Sequence, residues 1–299
     1  MTWTPHDIPD QTGRVVVITG ANSGIGFETA KVLSAKGAHV VMACRDLVRA
    51  EAARELIGGT AEIQELDLAD LSSVRACAGA LDGRVDVLVN NAGIMAVPLA
   101  RTGDGFESQL GTNFLGHFAL TGLLLPRITD RVVTLSSTVH RAGRLDLADP
   151  NFERRRYRPW TAYAQSKLAD LMFAYQLQRR LLLGGSSVRS VAAHPGYAAT
   201  NLQSHLGNGW TQRAQALLAR RTPFVQDAAA GAEPMLYAAT ALDVPGGSYV
   251  GPAGPGELTG PPTIVGSSRA SRDRAAQRGL WELAERLTGV SVPLPSGER

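Results

Sequence analysis

The chain is short of cysteine, of long apolar runs and of charge imbalance, and each shortage closes off a class of function. Only Cys44 and Cys77 occur in 299 residues. Two isolated thiols suggest neither a disulfide framework nor a paired-thiolate metal site. Such cysteine usage suits a reducing cytosol, and Cys44, at the end of an apolar run, reads as a small buried hydrophobe. No stretch approaches about 20 consecutive apolar residues, so no membrane-spanning helix is expected. The start, Met1-Thr2-Trp3-Thr4-Pro5-His6-Asp7, has neither a basic nor an apolar stretch, so no secretory signal or membrane anchor is expected and the expected location is cytoplasmic. Lysine and arginine number 30 against 27 acidic residues, and a net charge of +3 is too small to imply a nucleic-acid partner. The one basic cluster, Arg154-Arg155-Arg156-Tyr157-Arg158, reads as a solvated loop. No grouping of histidines and carboxylates suggests a metal, and no internal repeat or domain boundary is visible.

What the chain does have is a core-forming composition. Apolar residues make up 44% and charged residues 19%, which fits a folded domain and argues against disorder. Short β-branched runs alternate with helical stretches. Strands are expected at residues 14–19, 39–43, 61–66, 85–89, 131–135 and 187–193. Helices are expected at 25–36, 72–81, about 106–125 and 162–183. In the last of these Leu168, Leu171, Met172 and Tyr175 recur at helical spacing. Alternation of this kind implies an α/β fold, a parallel sheet with helices on both faces. Residues 245–266 are rich in Gly and Pro and read mostly as loop, with 248–250 a last short strand. A final helix is expected at 271–287 with Ser271 as its N-cap. The tail, 292–299, is expected to fray.

Ligands in such sheets bind beyond the carboxyl ends of the strands. Gly20, Asp67, Asn91 and Ser136-Ser137 all fall at those ends. A strict Gly-x-Gly-x-x-Gly is absent. Instead Gly20-Ala21-Asn22-Ser23-Gly24-Ile25-Gly26 joins the first strand to the first helix. Glycines there let a pyrophosphate approach the backbone, and the helix start offers N–H groups and partial positive charge. An ordinary βα turn needs one glycine rather than three. At the end of the second strand stands Ala43-Cys44-Arg45-Asp46. An acid at position 44 would bind a ribose hydroxyl as in NAD proteins; Cys44 carries no charge, and Arg45 suits the 2′-phosphate of NADP. Asp46 either neutralises Arg45 or lies on the next turn, so NADP(H) is favoured and NAD(H) stays open.

Tyr163 and Lys167 are four apart on one helix and share a face. A free phenol has a pKa of about 10 and is a poor base at neutral pH, but an adjacent ammonium favours the phenolate. Tyr163 is therefore a candidate general acid or base for a carbonyl or alcohol oxygen. Alone, Tyr-x-x-x-Lys is a chance pattern. Its context is Ser137 (with Ser136 as rival) to hydrogen-bond a substrate oxygen, and Asn113 to anchor a water chain to Lys167. His140 is either a substrate-facing group or an ordinary loop histidine, and His194 reads as shaping the turn after its strand.

Taken in order, Thr19-Gly20-x-x-x-Gly24-x-Gly26, Asn90-Asn91-Ala92-Gly93, Asn113, Ser137, Tyr163-x-x-x-Lys167 and Pro195-Gly196 resemble the short-chain dehydrogenase/reductase family. The resemblance spans roughly residues 13–290. It implies one Rossmann-type, doubly wound domain over 1–299, with about seven parallel strands. It further implies that Tyr163 exchanges the proton, Lys167 also binds the nicotinamide ribose, Ser137 orients the carbonyl and Asn113 supports a proton relay. Gly20, Asn22, Ser23, Gly24, Ile25 and Gly26 would cradle the pyrophosphate, Asp67 and Leu68 would border the adenine, and Asn91, Ala92 and Gly93 would line the ribose side. Pro195, Gly196 and Thr200 would cover the nicotinamide. Ala43-Cys44-Arg45-Asp46, Leu135-Ser136-Ser137-x-x-His140, Ala162-Tyr163-x-x-Ser166-Lys167-Leu168-Ala169 and His194-Pro195-Gly196 resemble the retinol dehydrogenase and protochlorophyllide reductase-like branch.

Two features depart from that pattern. The apolar N-terminal anchor of membrane-bound retinol dehydrogenases has no counterpart here, so bulky isoprenoid alcohols are not implied as substrates. An extra stretch, about 146–160, separates Ser137 from Tyr163 and leaves monomer, dimer and tetramer open. Residues 202–224, apolar in part, read as a substrate lid. The expected activity is NADP(H)-dependent hydride transfer between nicotinamide and a small-molecule carbonyl or alcohol, with a hydrophobic substrate suggested by the lid. The alternative is a non-catalytic NADP(H)-binding sensor or scaffold, against which the full set Asn113, Ser137, Tyr163 and Lys167 argues.

Overall fold

In the computed structural model the described residues are 2–197 and 226–292. The expected lid at 202–224, Thr200 and the end of the tail lie outside them. The first strand, β1 (Val15–Thr19), has four of its five residues buried. Strands covered on both faces read as continuous apolar runs rather than alternating ones. It is followed by α1 (Gly24–Ala35), β2 (His39–Cys44), α2 (Leu47–Ile57), β3 (Ala61–Glu65), α3 (Leu71–Ala80) and β4 (Val85–Asn90). Next comes a composite helix: α4 (Ser108–Leu110), a π turn (Gly111–Leu115) and α5 (Gly116–Leu124). The chain continues through β5 (Ile128–Leu135), α6 (Pro159–Leu183), β6 (Arg189–Ala193), α7 (Ala228–Thr240), β7 (Tyr249–Pro252), β8 (Pro262–Ile264) and α8 (Arg274–Thr288).

The strands form one sheet in the order β3-β2-β1-β4-β5-β6-β7-β8. All neighbours are parallel except β7 and β8, which pair antiparallel. The sheet thus has eight strands where about seven parallel ones were expected, and the Gly/Pro-rich stretch carries two of them. The strand order reverses between β1 and β4, and such a switch point opens a crevice at the carboxyl ends of the two strands. The glycine turn after β1 and Asn91-Ala92-Gly93 after β4 both sit there.

Apolar layers cover both faces of the sheet. One layer holds an aromatic cluster, Phe114, Phe118, Phe173 and Trp281, with ring centroids 5.1–6.1 Å apart. It clamps α5, α6 and α8 together, and α6 is the element that carries Tyr163 and Lys167. Proline at the first position of α6 is preset for a helix start, since its missing N–H would have no helical partner there. The N-cap of α8 is Asp273, whose carboxylate accepts from the N–H of Ala275 and Ala276 at 2.9 and 3.0 Å. Ser271, the expected cap, lies in a preceding 3-10 turn and bonds Ser267 and Ser268 instead.

Both cysteines are buried, and burial pushes their thiols up to about 11 for Cys44 and about 12 for Cys77. Among the described residues no helix is long and apolar enough to cross a membrane, and no cluster of His, Cys, Asp and Glu could hold a metal ion.

Candidate active site

The β1–α1 turn is built for close approach. Gly20 and Gly24 adopt φ of +66° and +57°, which side chains disfavour. A Cβ on Gly26 would stand 2.6 Å from the Gly20 carbonyl oxygen and 2.4 Å from Asn91 Nδ2. The helix therefore starts hard against the turn. Ser23, at the N-cap of α1, makes no side-chain capping bond. The N–H groups of the first turn are left facing the crevice, which suits the charge and size of a pyrophosphate.

Thr19 ties this turn to the end of β4. Its Oγ lies 2.9 Å from the N–H of Asn91, from the N–H of Ala92 and from His117 Nε2. His117 Nδ1 lies 2.7 Å from the Asn113 carbonyl. That carbonyl can only accept, so the imidazole hydrogen is on Nδ1 and Nε2 accepts from the Thr19 hydroxyl. The lone pairs of Thr19 then take the two backbone N–H groups. Burial holds His117 down at about 3, so the ring stays neutral and this chain of donors keeps its sense. It links the dinucleotide crevice to Asn113 in the π turn, a local irregularity frequently found at functional sites. The side chain of Asn113 brackets Ile94, accepting from its N–H at 2.8 Å and donating to its carbonyl at 3.0 Å, and also donates to Ser166 Oγ at 2.9 Å.

Ser137 and Tyr163 converge from β5 and α6. Tyr163 is 5% exposed, and its phenol lies close enough to Ser137 and Lys167 to feel both. Burial raises the phenol above the ordinary tyrosine value, while Lys167 and Ser137 pull it back down. Ser136, the rival, points elsewhere and donates to the Lys167 carbonyl at 2.8 Å. Lys167 Nζ donates to the Leu135 carbonyl and to Asp170 Oδ2, both at 2.9 Å. Burial works against its charge, but Asp170 and Tyr163 outweigh that and hold the ammonium above the usual lysine value. A Cβ on Gly93 would lie 3.1 Å from Asn113 Oδ1 and 3.7 Å from Lys167 Nζ, so the ribose-side loop, Asn113 and Lys167 share one small space.

The adenine end is more open. The Arg45 side chain is 73% exposed and reaches only to 3.9 Å of Asp67 Oδ2. At that exposure the pair contributes little, and the guanidinium is available to another anion. Asp46 does not neutralise it. Its carboxylate caps α2, accepting from the Arg49 N–H at 3.0 Å and lying 3.3 Å from Arg49 Nε. Asp67 turns its carboxylate to the Ala69 N–H at 2.9 Å, and Leu68 is buried against Gly116. At the far side Gly196 has a φ of +67° and its N–H donates to His194 Nδ1 at 3.2 Å, so His194 does shape that turn.

His140 does not face a substrate. It is fully buried, with Nδ1 2.7 Å from the Ser137 carbonyl and Nε2 accepting from Ser268 N–H at 3.2 Å. It buttresses Ser137 from behind. The stretch 146–160 is held by Asp149, whose carboxylate accepts backbone N–H groups from Glu153 and Arg155 at 2.7 and 3.1 Å. Arg155 lies over the Phe152 ring at 3.9 Å and donates to Gln165 of α6. Tyr157 donates to the Val97 carbonyl at 2.9 Å, tying the stretch to the loop after β4. Arg154, Arg156 and Arg158 are exposed, as a solvated loop requires.

Two residues of this site escaped sequence reasoning, His117 and Asp170. Each carried a signal: His117 is four residues after Asn113, and Asp170 is a carboxylate three residues after Lys167 on an otherwise apolar helix face.

The geometry agrees with the comparisons. The short chain dehydrogenase family profile matches residues 14–209. Human retinol dehydrogenase 13 is 39% identical over 296 residues, covering 94% of this chain and 86% of that protein. Mouse polyprenol dehydrogenase is 41% identical over 306 residues, covering 96% of this chain and 88% of that protein. A solved structure from Mycobacterium paratuberculosis is 51% identical, with a TM-score of 0.86 and coverage of 98% of this chain and all of the other. The chain belongs to the short-chain dehydrogenase/reductase family, in its retinol dehydrogenase-like branch, and is an oxidoreductase with a nicotinamide cofactor.

Proposed function

We propose that this oxidoreductase prefers NADP(H) and interconverts an apolar alcohol with its aldehyde or ketone, with Tyr163 as general acid and base. The observation that carries the reading is the buried Tyr163 phenol, beside Ser137 and the Lys167 ammonium. The turn Gly20–Gly26 and the first N–H groups of α1 hold the pyrophosphate, Asp67 and Leu68 border the adenine, and Asn91–Gly93 with Lys167 hold the nicotinamide ribose. Pro195 and Gly196 flank the nicotinamide. When bound, the nicotinamide supplies the hydride or takes it up. Ser137 Oγ steadies the substrate oxygen, and Tyr163 Oη gives that oxygen a proton in reduction and takes it back in oxidation. Lys167 stabilises the phenolate left behind. Asn113 carries the proton relay toward Lys167.

Arg45 supports the NADP(H) preference, because the guanidinium is exposed at the end of β2 and Asp46 is engaged by α2. The apolar substrate class is supported by the half-exposed Trp160, whose ring meets Tyr163 edge-on at 6.0 Å, and by relatives named for retinol and polyprenol. The test is a parallel fluorescence titration with NADPH and NADH, on the wild type and on Arg45→Asp. Removing a charge-assisted bond to phosphate is expected to weaken NADPH binding by about 10- to 100-fold while leaving NADH nearly unchanged. An equal loss for both, or none for either, overturns Arg45 as the selector. Failure of the wild type to bind either cofactor overturns the enzymatic reading.

A further inference from the structure

The interior of α6 holds a carboxylate that the proton-transfer scheme above does not use. Asp170 is 1% exposed, on a helix whose neighbouring residues Leu168, Ala169, Leu171 and Met172 are core. An aspartate in such a place is rarely kept unless it is paired. Its partner is Lys167, 2.9 Å away on the same helix. We propose that Asp170 is a positioning residue for the reaction. It fixes Lys167 against the Leu135 carbonyl and, by sharing the ammonium's charge, keeps the Tyr163 phenol protonated. The proposal rests on the reading of Tyr163 and Lys167 given above.

The geometry supports it in three ways. With Asp170 Oδ2 and the Leu135 carbonyl each taking one N–H of the ammonium, its third donor remains free for Tyr163 or a ribose hydroxyl. The ammonium is thus aimed before any ligand arrives. Second, Asp170 Oδ1 is buried with no hydrogen-bond partner among the described residues. The carboxylate is only half satisfied, so fold stability alone does not explain it. Third, Asp170 opposes Lys167 at the tyrosine: the ammonium favours the phenolate, and the carboxylate favours the neutral phenol. Among the described residues the other ionisable side chain that feels this trio is His117, from α5, and burial keeps its ring neutral. Ser137, Asn113 and the Leu135 carbonyl are polar but do not titrate in the working range. Burial pushes the Asp170 carboxyl up to about 6, and the Lys167 ammonium, 2.9 Å away, pulls it down toward the ionised form.

A protonated phenol is the form needed to reduce a carbonyl, so Asp170 widens the pH range over which reduction runs. The equilibrium between the substrates themselves is unchanged.

Asp170→Asn keeps the shape and the bond from Lys167 and removes the charge. Tyr163 and Asp170 are seven residues apart, about 10 Å along a helix. A unit charge at that distance and an effective dielectric constant of about 20 is worth about one pH unit, or tenfold in phenolate fraction. Tyrosine labelled with carbon-13 at the phenol carbon reads the titration directly, with Tyr163→Phe assigning the resonance. The midpoint in Asp170→Asn is expected to fall by about one pH unit, and the rise of retinol oxidation with pH to move down by the same amount. An unchanged or raised midpoint overturns the proposal. If Asp170→Asn fails to fold, Asp170→Ser, which leaves room for water, takes its place with the same expectation. Failure of both to fold also overturns it, because the pair is then structural. If Tyr163→Phe retains turnover, the reading of Tyr163 fails instead, and the two failures are told apart.

Discussion

The Gly26→Ala variant tests the dinucleotide crevice without needing a substrate. The added methyl would lie 2.6 Å from the Gly20 carbonyl oxygen and 2.4 Å from Asn91 Nδ2. Ordinary contact needs about 3.5 Å, so close to an ångström of overlap must be relieved. Neither neighbour yields freely. The Gly20 carbonyl is backbone in a turn whose N–H already donates to the Ala43 carbonyl at 2.8 Å. The Asn91 amide donates to the Thr19 carbonyl at 2.8 Å. Overpacking of this kind costs about 1–3 kcal/mol, and a lost buried hydrogen bond adds about 1 kcal/mol. A Tm lower by several degrees is therefore expected. The larger effect falls on ligand binding, since pushing α1 off the turn moves the N–H groups that hold the pyrophosphate. NADPH and NADH should both weaken by at least tenfold, about 1.4 kcal/mol, as read by fluorescence titration on protein shown to be folded by circular dichroism. A variant that binds both cofactors as the wild type does, at an unchanged Tm, would refute the assignment of this turn.

Two further outcomes follow from the site. Tyr163→Phe should fold and bind its nicotinamide cofactor normally but lose about 10²- to 10⁴-fold in carbonyl reduction, the usual share of a positioned general acid; turnover within threefold of wild type would remove Tyr163 from that role. Stability should also depend on pH through two buried histidines. His117 and His194 are both pushed down by burial from 6.5 to about 3. Between those values the unfolded chain binds protons that the folded one refuses. Their contribution is complete above pH 6.5 and is lost as the pH falls toward 3. His140, also lowered by burial, adds to them, while Asp170, raised from 3.8 to about 6, and the raised Glu107 and Glu233 carboxyls work the other way at acid pH. Urea midpoints should fall steadily from pH 6.5 to 4.5, and His117→Asn should flatten that slope; a flat wild-type profile would count against both buried neutral rings.

How much of the fold could be read depended on how strongly each segment advertises its burial. The central strands and α6 are covered on several sides, and their apolar runs are unmistakable. The helix α2 went unread because its buried face is only Ala50, Ala53 and Ile57, while Leu47, Val48 and Leu56 are exposed and blur the stripe. Asp46, its N-cap, was weighed instead as a cofactor residue. The helix α7 is alanine-rich and carries Pro234 in its interior, a residue that usually ends a helix. The strand β8 has three residues, two of them a proline and a threonine, inside a glycine-rich stretch. It exists because β7 offers an edge to pair with, and that is a tertiary fact no local pattern contains.

The site divides along the same line. Residues whose type is rare in their setting stood out: three glycines in one turn, a tyrosine and a lysine one helical turn apart, an arginine just after the position where an acid would bind a ribose. Residues that act through others did not. The only local sign at His117 is its spacing, four residues after Asn113, and that does not say what the ring bonds. Its role appears only when the π turn brings the Asn113 carbonyl to one ring nitrogen and β1 brings Thr19 to the other. Likewise, the preference for Ser137 over Ser136 rests on the family resemblance, and α6 adds a physical reason against Ser136, whose hydroxyl donates to the Lys167 carbonyl. A hydrogen-bonded chain from Asn91 and Ala92 through Thr19 and His117 to Asn113 therefore joins the end of β4 to the π turn, using five residues from four segments. The neutral state of His117 makes Nε2 the nearer acceptor of the Thr19 hydroxyl, at 2.9 Å against 3.4 Å for the Val89 carbonyl. Charging that ring would put a proton on Nε2 and turn the Thr19 hydroxyl to the more distant Val89 carbonyl, so the burial that keeps His117 neutral also keeps β1, the end of β4 and the π turn in register.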